Sequence, residues 1–309
     1  KIIVFSQMMV FSTYALQIIS AIVMFITIFI MLPRAMVSYK RIKEIIDERI
    51  SILSGRNKIK GIDSIEFRNV DFMYPDGKAN ALTDLSFKVN KGETLAVIGA
   101  TGCGKSTLVN LLMRFYDATN GKILINDRDI KEYDIKGLRS SIGYVPQKTF
   151  LFGGTVASNI AYNSDEIDKE RLNKVCEAAC VDDFVQVLPD GIESKVEKEG
   201  SNYSGGQKQR MSIARALYNS PDLLIFDDSF SALDFKTDKK IRNNLKDLCR
   251  NAIKVIVAQR ISTVIDADTI IVVDEGKIVG IGDHEHLMRN CTNYQQFAYA
   301  QISGGEINE

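Results

Sequence analysis

The stretch Gly99-Ala100-Thr101-Gly102-Cys103-Gly104-Lys105-Ser106 constrains this chain more than any other, because it reads G-x-x-x-x-G-K-S. A short apolar run, Thr94 to Ile98, precedes it, and Thr107 to Leu112 continues it as an amphipathic helix. Strand, glycine loop, helix is the order of a phosphate-binding loop. Glycines let the backbone turn so that successive N–H groups face one anion, and the helix start adds a favourable dipole. Lys105 brings a point charge to the outer phosphates, Ser106 a hydroxyl for Mg²⁺, and Thr107 extends the set into the helix. A glycine-rich turn in an unrelated α/β protein is the plain alternative, and the flanking residues argue against it. The loop predicts a nucleoside triphosphate site.

At 309 residues the chain is long enough for one large domain and something smaller, and its formal net charge is zero. That removes the overall positive charge expected of a nucleic-acid binder, and no nucleic-acid partner is expected. The five cysteines, Cys103, Cys176, Cys180, Cys249 and Cys291, are odd in number and scattered, which suits a reducing cytosol rather than a disulfide framework. Cys176 and Cys180 are four apart, the spacing of two small apolar residues on one helix face. No metal cluster is expected from them.

From Ile2 to Pro33 no side chain is charged. As a helix this stretch would reach about 48 Å, against about 30 Å of bilayer hydrocarbon, so one spanning helix with an overhang fits. Ile18 to Leu32 is its densest apolar part. A signal peptide would have a shorter apolar region, and a buried soluble helix would show a polar face. Arg34 to Lys60 then carries eight basic against three acidic residues, which places that end in the cytoplasm. One helix cannot enclose a path across a membrane, and the chain opens on Lys1 in apolar sequence. The expectation is therefore a fragment whose earlier membrane helices are missing. Residues 1–50 read as a last transmembrane helix with its cytosolic extension, 51–62 as a polar linker with two glycines, and 303–309 as a tail.

Residues 63–302 have the texture of an α/β domain. Ile65 to Tyr74 and Leu85 to Val89 alternate as half-buried strands around the turn Tyr74-Pro75-Asp76-Gly77. Leu223 to Phe226, Val255 to Ala258 and Ile270 to Val273 are continuous apolar runs, as in parallel strands covered on both faces. Helical stretches lie between them, from Gln207 to Tyr218 and from Thr237 to Cys249.

A second motif, Tyr203-Ser204-Gly205-Gly206-Gln207, places small residues before a helix, again an anion-site pattern. Leu223-Leu224-Ile225-Phe226-Asp227-Asp228 then ends an apolar strand in carboxylates, as a magnesium site requires. With these motifs in this order the chain resembles an ATP-binding cassette (ABC) transporter of the exporter type, along essentially its whole length. The resemblance implies a P-loop NTPase cassette with a RecA-like core, a β-subdomain and a helical subdomain (about 148–212), preceded by one transmembrane helix. It implies ATP and Mg²⁺ as cofactors, a second half-transporter and membrane lipid as partners, and an unknown exported substrate. Drug, lipid and peptide cargo all remain open.

Residue by residue, Tyr74 resembles the aromatic that stacks on adenine, and Gln147 the glutamine that touches Mg²⁺ and water. Phe150 to Thr155 resembles the stretch beside the membrane-domain docking groove, Glu199-Gly200 the cross-talk loop, and Ser231-Ala232-Leu233-Asp234 the loop in which Asp234 serves the nucleotide interface. Two cassettes of this family pair head to tail. Ser204, Gly205, Gly206 and Gln207 would then serve a partner's ATP. Tyr74, Lys105, Ser106, Gln147 and Asp227 would serve the chain's own, with Ser106, Gln147 and Asp227 around Mg²⁺.

Two positions depart from the family pattern. Asp228 stands where a glutamate normally polarises the attacking water, which withdraws the carboxylate by roughly 1.5 Å, and a misplacement of about 1 Å can cost a hundredfold. Gln259 stands where a histidine normally meets the γ-phosphate, and glutamine cannot become a cation. Together they predict the degenerate half of a heterodimeric exporter, binding Mg-ATP but hydrolysing it slowly. A homodimeric exporter with a slow site and a soluble ABC ATPase are the alternatives.

Overall fold

A computed structural model describes residues 5–303 apart from 49, 163 and 165. The first apolar residues, Arg49 and the tail beyond 303, all used in the reading above, lie outside the described residues. The chain divides into two units between Ser51 and Ile52.

The first unit is one helix, α1 (Phe5–Ile46), of 42 residues, long and apolar enough to cross a membrane. Pro33 lies inside it, at the end of the uncharged stretch, and none of its side chains is buried within the chain. The hydroxyls of Thr13, Ser20 and Thr27 bond back to the carbonyls of Met9, Gln17 and Val23 at 2.8, 2.8 and 2.9 Å. They are thus satisfied inside their own helix, as apolar surroundings demand.

The second unit begins with β1 (Ser64–Phe72), β2 (Leu82–Asn90) and β3 (Thr94–Ile98), then α2 (Lys105–Leu112), β4 (Asn120–Ile125), β5 (Arg128–Asp129), α3 (Ile135–Ser140) and β6 (Ile142–Val145). A helical insertion follows: β7 (Gly154–Thr155), α4 (Val156–Ile160), α5 (Lys169–Ala178), α6 (Asp182–Val185), β8 (Lys195–Val196) and α7 (Gly205–Tyr218). The chain closes with β9 (Leu223–Asp227), α8 (Phe235–Leu248), β10 (Ile253–Ala258), α9 (Ile261–Val264), β11 (Thr269–Asp274), β12 (Lys277–Gly282), α10 (His284–Asn290) and α11 (Thr292–Ser303).

Six strands form the central sheet in the order β12-β11-β3-β10-β9-β6, parallel except for β12. The antiparallel sheet β2-β1-β4-β5 packs on one side. The continuous apolar runs behave as their pattern requires, because alternate residues enter opposite cores. Leu95, Val97, Ile225, Val255 and Val257 face the antiparallel sheet and α2. Ala96, Ile98, Leu224, Phe226, Ile256 and Ala258 face the helical side. Each such aliphatic side chain removed from water stabilises the fold by about 1.5–3 kcal/mol, which fixes the register of the sheet.

One sequence reading needs correction. Cys176 and Cys180 share one core, but α5 ends at Ala178 and Cys180 has a left-handed backbone (φ 55°), so they are not two residues of one helix face. Burial raises both thiols, Cys176 to about 12. The start of the second unit, within the stretch read as a linker, is hydrogen-bonded to the cassette. The Gly55 amide donates to the Tyr133 carbonyl and the Asn57 amide to Glu132, both at 3.0 Å. Buried Arg114 adds a bond to the Leu53 carbonyl at 2.7 Å and a salt bridge to Asp117 at 3.0 Å.

Candidate nucleotide site

Four neighbouring strands of the central sheet deliver the site from their C-terminal ends, where open α/β sheets bind ligands. The phosphate loop follows β3, Gln259 follows β10, Asp227 ends β9 with Asp228 just beyond it, and Gln147 follows β6. Ser229, just beyond β9, donates to the Val145 carbonyl at 2.8 Å and ties the last two of these ends together.

The loop encloses its lysine. Lys105 Nζ donates to the Gly99 and Ala100 carbonyls, both at 2.7 Å, and lies 3.7 Å from Cys103 Sγ. Glycine is needed at both ends of the turn. A Cβ on Gly99 would stand 2.1 Å from the Val273 carbonyl oxygen. Gly104, at φ 111°, caps α2 in a left-handed conformation that an L side chain resists.

A cavity of about 290 Å³ opens above the loop, lined by Tyr74, Thr101, Gly102, Gly104, Lys105, Ser106, Thr107, Gln147, Asp227, Asp228 and Gln259. Ala81 and Val257 complete the lining; no motif marks them, and only the fold brings them there. The Tyr74 hydroxyl lies 3.1 Å from Thr107 Oγ1, and its ring stands edge-on to Phe72 and Tyr116 at 4.8 and 5.1 Å. That anchors an aromatic wall beside the loop, the kind of surface a planar base stacks on.

Asp227 is buried, and burial first, then the neighbouring Asp228, pushes its carboxyl above the usual range. Half-buried Tyr144 sits beside it and is itself pushed up to about 12, mainly by burial. Asp228 is also raised by burial, against the amide of Gln147 and the nearby charges of Lys105 and Arg260. Its Oδ2 accepts from Gln147 Nε2 and Gln259 Nε2, both at 2.9 Å, and its backbone is left-handed at φ 48°.

The chemistry of the donors fits magnesium. The ion takes hard oxygen ligands and keeps waters and phosphate oxygens among them. Ser106, Gln147 and Asp227 line the cavity, and their side chains carry a hydroxyl, an amide oxygen and a carboxylate. Among the described residues no group of three or more His, Cys, Asp or Glu could hold a metal, so phosphate oxygens would have to complete the shell.

The remaining predicted residues lie outside this cavity. Gly99, Ala100 and Cys103 form the floor that holds Lys105. Ser204 caps α7, accepting from the Gln207 amide at 3.3 Å, while Gln207 Oε1 accepts from the Ser204 amide at 2.9 Å. Gly205 is exposed, with nothing within 4 Å of where a Cβ would stand, and Gly206 lies near the Ala232 carbonyl. Asp234 caps α8 through Thr237, whose amide holds its carboxyl below the usual range.

Residues 82–231 match the family model described as ABC transporter. The structure of a bacterial Atm1-family ABC exporter with ATP bound superposes with a TM-score of 0.84 at 33% identity, covering 94% of this chain and 52% of that one. The chain belongs to the ABC transporter family. An ABC transporter ATP-binding protein of Mycobacterium bovis is 39% identical across 96% of the chain and 52% of its own length. The ATP-dependent lipid A-core flippase of Saccharophagus degradans is 36% identical across 96% of the chain and 51% of its own length. The chain thus spans about half the length of the ABC relatives it matches, and among the described residues one helix long and apolar enough to cross a membrane precedes the cassette. As in these membrane exporters, the ABC cassette sits on the cytoplasmic side.

Proposed function

We propose that this chain is the ATP-binding half of an ABC exporter that works with a second half-transporter of different sequence. Its own site binds Mg-ATP and hydrolyses it slowly. Ser204, Gly205, Gly206 and Gln207 complete a faster site whose phosphate loop belongs to the partner.

The observation that carries this reading is the state of Asp228. Burial raises its proton affinity, which suits a base, so basicity is not what it lacks. Reach is. The carboxylate sits one methylene short, and one of its oxygens already holds two neutral amides. Gln259 can donate to a phosphate oxygen but brings no charge to stabilise a transition state. Binding groups are intact beside this: Lys105 for outer phosphates, Ser106 and Asp227 for the ion that neutralises them, Tyr74 for the base. In the proposed cycle ATP between two cassettes favours their closed pairing through contacts present only in that state. Closure turns the membrane part outward, and hydrolysis at the partner's phosphate loop reopens the pair.

The test is ATPase turnover of the full-length protein alone, as it stands and with Asp228→Glu plus Gln259→His. The expected result is slow turnover that rises about a hundredfold on reversal, with unchanged ATP affinity. Fast turnover of the unmodified protein with no gain on reversal would overturn the reading and favour a homodimer.

A further inference from the structure

Gln301, near the end of α11, reaches back to the turn that follows β10. Both ends of its amide are committed there. Nε2 donates to the Gln259 carbonyl at 2.7 Å, and Oε1 accepts from the Ile261 amide at 2.8 Å. These two groups lie on either side of Arg260, so one side chain brackets the backbone of a single turn. Arg260 is the N-cap residue of α9 and cannot serve that helix start, because a guanidinium only donates. Gln301 supplies the missing acceptor from 40 residues away.

The other end of α11 is braced on the opposite flank of the phosphate loop. Asn293 Nδ2 donates at 3.0 Å to Asp274, the last residue of β11. Tyr294 is fully buried, with its hydroxyl 2.8 Å from His284 Nδ1. Asn293 and Gln301 are eight residues apart, about 12 Å along the helix. In the central sheet β11 and β10 are the two neighbours of β3, which leads into the loop. One seated helix therefore ties together the strand ends on both sides of the nucleotide site. Its hold on the Gln259 carbonyl fixes the plane of the peptide that follows, and with it the direction in which the Gln259 side chain leaves the backbone toward Asp228.

We propose that Gln301 is a positioning residue for hydrolysis at this chain's own site, acting through Gln259. The proposal rests on the reading above that Gln259 donates to a phosphate oxygen. Such a donor works only from a fixed place, since a displacement of about 1 Å can cost a hundredfold in rate. The Gln259 carbonyl has its partner in Gln301, and without that bond the turn is free to carry the side chain off line.

The experiment measures ATPase turnover of the full-length protein as it stands and with Gln301→Glu, Gln301→Met, Gln259→Ala and the Gln259→Ala/Gln301→Glu double change. Thermal unfolding runs alongside. Gln301→Glu keeps an acceptor for the Ile261 amide, and so the helix start, but loses the donor to the Gln259 carbonyl. The expected result is a kcat fall of about tenfold for Gln259→Ala, the worth of a hydrogen bond to a charged group, and of about fivefold for each Gln301 variant. KM stays unchanged throughout, Gln301→Glu keeps its unfolding temperature, and the double change is no slower than Gln259→Ala alone. Full turnover in Gln301→Glu, or losses that multiply in the double change, would overturn the proposal, because a residue that only caps α9 gives those results. If Gln301→Met fails to fold, Gln301→Glu still decides. Unaltered turnover in Gln259→Ala would overturn the reading of Gln259 and the proposal with it, whereas a loss there beside an indifferent Gln301→Glu overturns the role of Gln301 alone.

Discussion

Gln147 and Gln259 are joined through a single atom, each donating an amide hydrogen to Asp228 Oδ2 at 2.9 Å. Both donations favour the ionised carboxylate, against the burial that favours the neutral one. Gln259→Ala removes one of them, so the Asp228 carboxyl should bind its proton more tightly. The acid limb of the pH profile for ATP turnover should then move to higher pH, which a rate measurement between pH 4 and 8 reads directly.

Asp227 is raised by burial and by Asp228, so its charge disfavours the folded state. The folded protein holds the proton more tightly than the unfolded chain. The stability this gives is present at acid pH and is lost as pH rises from the ordinary aspartate range through the raised value of the folded protein. At neutral pH the cost persists. Asp227→Asn should therefore raise the unfolding temperature of the nucleotide-free protein, by about 2–4 °C for each kcal/mol relieved. It should also abolish the extra stabilisation that Mg²⁺ adds to ATP. Thermal unfolding with and without Mg²⁺ and nucleotide checks both.

Gly99→Ala and Gly102→Ala should differ sharply. The first drives a Cβ into the Val273 carbonyl and displaces a carbonyl that holds Lys105, so nucleotide binding should be lost. The second meets nothing within 4 Å and carries only the strain of φ 84°, about 1–2 kcal/mol. Titration with a fluorescent ATP analogue, with unfolding curves alongside, separates loss of the site from loss of the fold.

Arg114→Met keeps much of the volume at a site 2% exposed but strands Asp117 and the carbonyls of Leu53 and Tyr133. Losing the bonds of this buried guanidinium to a partly exposed carboxylate and two carbonyls should cost about 1–3 kcal/mol in urea unfolding. Amide exchange at residues 53–57 should rise in the same variant, because Arg114 helps seat that segment on the cassette.

Much of this site was legible in the sequence because its chemistry is local. The phosphate loop needs consecutive residues, and the apolar runs of β9, β10 and β11 announce strands buried on both faces. What was not legible depends on chain returns. Gln147 and Gln259 lie 81 and 31 residues from Asp228, and nothing in their local sequence says that they share one oxygen. Tyr144 beside Asp227, Ala81 in the cavity wall and the seating of residues 53–57 on Tyr133 likewise follow from strand order. Cys180 misled for a related reason, since spacing gives no sign that the helix stops two residues earlier.

The capping box of α7 has a last consequence. Ser204 Oγ and the Gln207 side chain occupy each other's backbone amides at the tip of the helix, with the serine bond long at 3.3 Å. On the proposed pairing, a γ-phosphate arriving from the partner offers that tip a stronger acceptor than the hydroxyl it displaces. Nucleotide would then take over as the end-piece of a helix in another subunit, and each hydrolysis would hand that post back to Ser204.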